Sequence, residues 1–157
     1  MQALDLLTKA WDTAHWELGE AFKGLPDDVV WVRPHPRLLS IGEIAGHIAY
    51  WESMSFTGGT ATGPLVDPVF RYYDASSQEP PVAKPLTAEQ VYQEVERIHA
   101  AARAAQDSEP REPDQPNPMR EGWTWGQTLE YMVFHVGYHT GQIYSVRHLM
   151  GHETTDN

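Results

Sequence analysis

Four stretches of the chain repeat apolar residues at alternating three- and four-residue steps, a period that lines each set along one side of an α-helix. The first spans residues 3–23 and carries Leu4, Leu7, Trp11, Ala14, Leu18 and Phe22. It ends on Lys23, Gly24 and Pro26, the usual order of helix-stopping residues. The second carries Ile41, Ile44, Ala45, Ile48 and Trp51 and runs to about Ser55. The third carries Val91, Val95, Ile98, Ala102 and Ala105, with Pro110 as its outer bound. The fourth carries Leu129, Met132, Val133, Val136, Ile143, Val146 and Met150 and stops at Gly151. At about 1.5 Å per residue it is roughly 39 Å long.

Three of the four starts carry the same device. Ser40-Ile41-Gly42-Glu43, Thr87-Ala88-Glu89-Gln90 and Thr124-Trp125-Gly126-Gln127 each place a hydroxyl three residues before a Glu or Gln. The hydroxyl accepts from the third amide while the longer side chain reaches back to the first. Leu39 with Ile44, and Leu86 with Val91, add the apolar staple across two of these starts. No segment alternates with period two, so the pattern predicts an all-α protein, a four-helix bundle folded as one domain over residues 1–157.

The connections differ in kind. Residues 55–86 contain Gly and Pro throughout without helical period, yet include Val66, Val69, Phe70, Tyr72 and Tyr73. So long a connection is unusual in a compact domain and often functional. Extended, it reaches on the order of 100 Å at about 3.3 Å per residue, enough for a long crossover that starts helix 3 parallel to helix 2. Residues 106–121 are charged and Pro-rich and read as a solvated linker.

Composition narrows the function. The 157 residues hold 22 Asp and Glu against 11 Lys and Arg, a net charge of −11, with no Cys. Without clustered basic residues to replace counterions, nucleic acid is not an expected partner. The lack of Cys excludes disulfides, thiolate metal centres and a cysteine nucleophile. No apolar run is long enough to span a membrane and the first residues do not resemble a secretory leader, so a cytoplasmic location is expected. A chain of this size buries roughly 68–70% of its unfolded surface and needs no structural metal; any metal would serve function.

The candidate chemistry lies in the eight histidines. His135 and His139 are four residues apart and stack on one side of helix 4, at the inward edge of its apolar stripe. His47 borders the apolar stripe of helix 2 in the same way. Each neutral imidazole carries a donor and an acceptor that must be satisfied away from water. One divalent cation would take a nitrogen from each ring; histidines satisfied by hydrogen bonds in a core or groove are the competing explanation. Three His ligands would leave a coordination position open for water or substrate. Glu43, one turn before His47, and Gln142, one turn after His139, are candidate acceptors for the remaining ring N–H groups, and Glu43 is also a candidate for proton transfer. His15 on helix 1 and Trp51 on helix 2 are candidates for lining a substrate pocket.

Other residues read as structural. Glu96-x-x-His99 is half of a carboxylate-bridged di-iron motif, but that site needs a second unit and two further inward Glu, and only Asp12-x-x-His15 comes close. His148 in the last turn of helix 4 would oppose the helix dipole, and His35 and His152 fall outside the helices. The pairs Gly42/Gly46 and Gly137/Gly141 suggest close helix approach.

Three segments together resemble the DinB/YfiT-like family of metal-dependent enzymes. They are Trp31-Val32-Arg33-Pro34; Leu39-Ser40-Ile41-Gly42-Glu43-Ile44-Ala45-Gly46-His47-Ile48 with Trp51-Glu52; and His135-Val136-Gly137-Tyr138-His139-Thr140-Gly141-Gln142-Ile143. The resemblance implies a four-helix bundle with a long crossover between helices 2 and 3, and one divalent metal, zinc or nickel most often, held by the residues matching His47, His135 and His139. It also implies a homodimer. Relatives in the family include transferases and isomerases that use a low-molecular-weight thiol, and others described as hydrolases.

The expected chemistry is therefore a metal-activated thiol or water attacking a small electrophilic substrate, with the thiol supplied by a cosubstrate because the chain has no Cys. A metal- or ligand-binding stress-response protein without turnover is the rival from another class. Three imidazoles suit zinc, nickel, copper and iron alike, so the metal is open.

Overall fold

The computed structural model describes residues 3–71 and 80–154, and Tyr72 and Tyr73 lie outside them. Four α-helices form the body: α1 (Ala3–Phe22), α2 (Ile41–Glu52), α3 (Ala88–Asp107) and α4 (Trp125–Leu149). All three capping boxes are made. Ser40, Thr87 and Thr124 accept from the amides of Glu43, Gln90 and Gln127, whose side chains answer the cap amides. The protein is an all-α four-helix bundle with a long crossover between α2 and α3, as the pattern predicts, and no strand occurs among the described residues.

The apolar stripes meet in one core. Trp11 and Leu18 of α1, Ile41 and Ile48 of α2, Val95 and Ile98 of α3, and Leu129, Met132 and Ile143 of α4 have no exposed surface. At roughly 25 cal/mol per Å² of apolar surface removed from water, this burial is the main favourable contribution to folding. α1 packs chiefly on α4, and α2 lies against both α3 and α4. No helix among the described residues is long and apolar enough to cross a membrane.

Three features depart from the pattern. α2 does not run on to Ser55 as an α-helix: it ends at Glu52 and widens into a π-helical turn, Ser53–Thr57. There the Thr57 hydroxyl donates to the Ser53 carbonyl at 2.8 Å and the Ser53 hydroxyl to the Ala61 carbonyl at 2.9 Å. Hydroxyls bonded to backbone carbonyls bend and widen helices in this way. The crossover then descends through a short 3-10 turn, Pro68–Arg71, which buries Phe70 completely.

The segment 106–121 is also not simply solvated. Asn117 is buried, and its amide nitrogen donates to the Ser55 carbonyl and the Thr128 hydroxyl, both at 3.1 Å. Arg111 lies over the Trp125 ring at 3.7 Å.

The glycine pairs differ from the expectation too. A Cβ on Gly42 would stand 2.5 Å from the Trp31 ring, and one on Gly46 would stand 2.6 Å from the Phe70 ring. The close approach is made by aromatic side chains from the connections, not by a neighbouring helix. Gly137 and Gly141 have open space at the same position.

Candidate metal centre

His47 on α2 and His135 and His139 on α4 come together. Their ring centroids are 5.0 Å (His47–His135), 4.8 Å (His47–His139) and 4.5 Å (His135–His139) apart. One nitrogen from each lies within 4.8 Å of the others, and all three side chains are buried. The helical repeat accounts for the α4 pair, because residues four apart stack one turn above the other.

Hydrogen bonds fix two of the rings. His47 Nδ1–H donates to the Phe70 carbonyl at 2.8 Å, and His139 Nδ1–H donates to Gln142 Oε1 at 2.6 Å. Both partners only accept, so the proton sits on Nδ1 and the lone pair on Nε2, the tautomer a metal ligand needs. His135 is held differently: the Tyr131 ring stacks on it at 5.5 Å, and its Nδ1 is buried without a hydrogen-bond partner.

The electrostatics favour neutral rings. Burial lowers the His47 pKa, against a smaller opposing effect of its bond to Phe70. Burial and the neighbouring His47 lower His139 from 6.5 to about 4. Burial, with His139 and His47 beside it, lowers His135 to about 2. Neutral imidazoles with converging lone pairs are the donor set for a borderline divalent cation such as zinc or nickel. The residues present therefore fit one divalent ion.

Gln142 stands where an orienting acceptor for His139 is expected. The acceptor expected from Glu43 is supplied instead by the Phe70 carbonyl, a backbone atom that no side-chain motif could reveal. Glu43 directs its fully buried carboxylate to Arg33 Nε and Nη2 at 2.8 and 2.6 Å, and to the Ser40 and Val82 amides at 2.8 Å each. Burial works to raise its pKa, but the Arg33 guanidinium and the two amides outweigh it and hold the carboxyl below its ordinary 4.5. The Arg33 and Glu43 of the sequence motifs thus tie the start of α2 to the segment before it and to the crossover.

Trp51 lies beside the three histidines, its ring 6.5 Å from that of His47 at 76°, with its indole N–H donating to the Arg71 carbonyl at 3.1 Å. On the α4 surface, Tyr131, Phe134 and Tyr138 form an exposed aromatic ridge; Tyr138 packs edge-on against His139 at 5.1 Å.

His15 is elsewhere. It lies 3% exposed in a second buried group, its Nε2 2.6 Å from Glu52 Oε1 and its ring stacked on His99 at 3.5 Å. It therefore lines that group rather than a substrate pocket at the three histidines. Burial alone would lower the His15 pKa, but the Glu52 carboxylate overrides it, with Glu96 adding, and raises it to about 9. Burial pushes Glu52 up; His15 and then His99 bring it down to about 2. The spacing in the sequence pairs Glu96 with His99 and Asp12 with His15 but gives no sign that Glu52 joins them. Glu52 closes the resemblance motif on α2, and the last turn of an apolar helix is where a charge ordinarily reaches solvent.

No curated protein and no solved structure shows significant similarity to the chain. A family model of the DinB superfamily, however, matches residues 10–143, a span that includes His47, His135 and His139; the chain belongs to the DinB superfamily.

Proposed function

We propose that the protein is a metal-dependent enzyme in which His47, His135 and His139 hold one divalent ion, zinc or nickel, and a low-molecular-weight thiol is transferred to a small electrophilic substrate. The observation that carries this reading is the convergence of three buried imidazoles, two of them with Nδ1 committed to acceptors. A divalent ion there would supply Lewis acidity, lowering the pKa of a coordinated thiol or water.

The chain's own residues do the positioning. Phe70 and Gln142 set the tautomers of His47 and His139, and Tyr131 packs against His135. Trp51 offers an apolar wall at the rim for a substrate. The thiol must come from outside, since the chain has no Cys. A thiol starts near pKa 8.5 and water near 15.7, so thiol activation asks less of the site. Glu43, the expected proton acceptor, is committed to Arg33, Ser40 and Val82, which favours thiol transfer over hydrolysis. The homodimer that the family resemblance implies is part of the same proposal.

The test is to incubate metal-loaded protein with a chlorodinitrobenzene-type electrophile and each of several small thiols, and in parallel with ester and amide substrates. Thiol-dependent turnover abolished by chelator is expected. Chelator-sensitive hydrolysis without thiol dependence would assign the site to hydrolysis instead, and bound metal with no turnover in either screen would leave a binding protein. Sedimentation of the same preparation reads the oligomeric state, with a dimer expected.

A further inference from the structure

The second buried group lies on three helices. His15 comes from α1, Glu52 from the end of α2 and His99 from α3, and one donor atom from each lies within 4.8 Å of the others. Glu52 has no exposed surface and His15 is 3% exposed. Trp11 Nε1 donates to Glu52 Oε1 at 2.5 Å, and His15 Nε2 meets the same oxygen at 2.6 Å. Both interactions fall on one carboxylate oxygen. Glu52 Oε2, His15 Nδ1, His99 Nδ1 and Glu96 Oε1 are all buried without a hydrogen-bond partner.

The spacing of these atoms is informative. His99 Nδ1 is 3.6 Å from Glu52 Oε2, and His15 Nδ1 is 3.7 Å from Glu96 Oε1, both too long for hydrogen bonds. Two donors about 2.1 Å from one tetrahedral ion stand roughly 3.4 Å apart, so small side-chain movements suffice for coordination. A buried carboxylate oxygen left unpaired is costly, and so are unpaired imidazole nitrogens beside it. The His15 and His99 rings stack at 3.5 Å and 17°, which holds the two side chains side by side at the carboxylate.

We propose that His15, Glu52 and His99 form a second divalent-metal site, separate from the three-histidine group, with the half-exposed Glu96 carboxylate completing it at the rim. Binding there displaces the proton that Glu52 favours on His15, after which two imidazoles with carboxylate oxygen suit zinc, cobalt or ferrous ions. The site takes one ion: Glu52 is the one carboxylate inside the group, whereas the di-iron arrangement needs bridging carboxylates from two further positions. The remaining acid, Asp12, has Oδ1 2.7 Å from Arg103 Nε and 3.4 Å from His99 Nε2, which positions His99 from its far side.

Cobalt(II) is the probe, because its visible spectrum reports coordination and its stoichiometry can be counted by elemental analysis after dialysis. The wild-type chain is expected to take two equivalents. His99→Ala and Glu52→Gln should each take one, His139→Ala should take one, and the double variant of His99 and His139 none. Glu96→Gln leaves the core untouched and should weaken one of the two equivalents about 10–100-fold, so the proposal is decided even where a buried variant does not fold. One equivalent in the wild type that His139→Ala removes and His99→Ala keeps would overturn the second site. Two equivalents unchanged by His99→Ala, Glu52→Gln and Glu96→Gln would overturn it equally. A single equivalent removed by His99→Ala and kept by His139→Ala would establish this site and remove the three-histidine centre.

Discussion

A carboxylate with no exposed surface is tolerated only when its oxygens are met, and Glu43 meets a guanidinium and two amides. Glu43→Ala breaks a buried ion pair with Arg33 and removes the acceptor of the Ser40 and Val82 amides, and is expected to destabilise the fold by about 3–5 kcal/mol, read from chemical denaturation. Metal stoichiometry should be unchanged, which separates anchoring from participation in the centre. Because the folded pKa of Glu43 lies below the ordinary 4.5, the stabilisation is present above that value and is lost as pH falls below it. Urea midpoints of the wild type should drop between about pH 5 and about pH 3 by more than those of Glu43→Gln; equal drops would show that Glu43 does not contribute. At this same scale the sequence was partly readable. His135 and His139 are visible because helical spacing alone brings them together, and Gln142 because it lies one turn on. The acceptor of His47 was not, since a backbone carbonyl 23 residues away belongs to tertiary structure. Gln142→Ala removes the oriented acceptor of His139 and should weaken metal about 10–100-fold while leaving the melting curve of the metal-free protein nearly unchanged; a titration of each protein with zinc measures both.

Among the elements, the helices were the most legible because capping and apolar period are local properties: Ser40, Thr87 and Thr124 mark their starts in the sequence and in the structure alike. The connections were less so. Asn117 is one polar residue in a charged, Pro-rich stretch, and only the arrival of Ser55 and Thr128 on either side makes it a buried clamp. Gly46 shows the same dependence on partners. It makes room for the Phe70 ring, and the carbonyl of that residue holds His47. A methyl at position 46 would meet the ring at 2.6 Å, so Phe70 must move and carry its carbonyl with it. Gly46→Ala is therefore expected to lower metal affinity about 10–100-fold even though Ala is the better helix former by about 1 kcal/mol. Gly137→Ala, with open space at its Cβ, serves as the control: it should leave affinity unchanged and stabilise the helix. Equal affinities for the two variants would detach Phe70 from the centre.

For the whole molecule, the three histidines couple α2 to α4, two elements joined in sequence only through the crossover, α3 and the segment before α4. An ion bound to all three would act as a tertiary cross-link that exists only in the folded state, so binding must appear as stability. At a free concentration about 100 times its Kd, an ion that ignores the unfolded chain adds about 2.7 kcal/mol. For a chain of this size that corresponds to a rise of roughly 5–10 °C in Tm, reversed by chelator. Because the proposed second group ties α1, α2 and α3 together, it would contribute its own increment, and the two must be read separately. In a His99→Ala background the remaining zinc-dependent rise should vanish when His139 is also replaced by Ala. Without metal the double variant should melt only slightly below the single variant, since the His139 ring that is lost is buried beside two other polar rings, His47 and His135. A zinc-dependent rise that persists in the double variant would place the stabilising ion at residues other than these. A metal-free melt several degrees lower in the double variant than in His99→Ala would instead show that the imidazole itself holds α2 against α4.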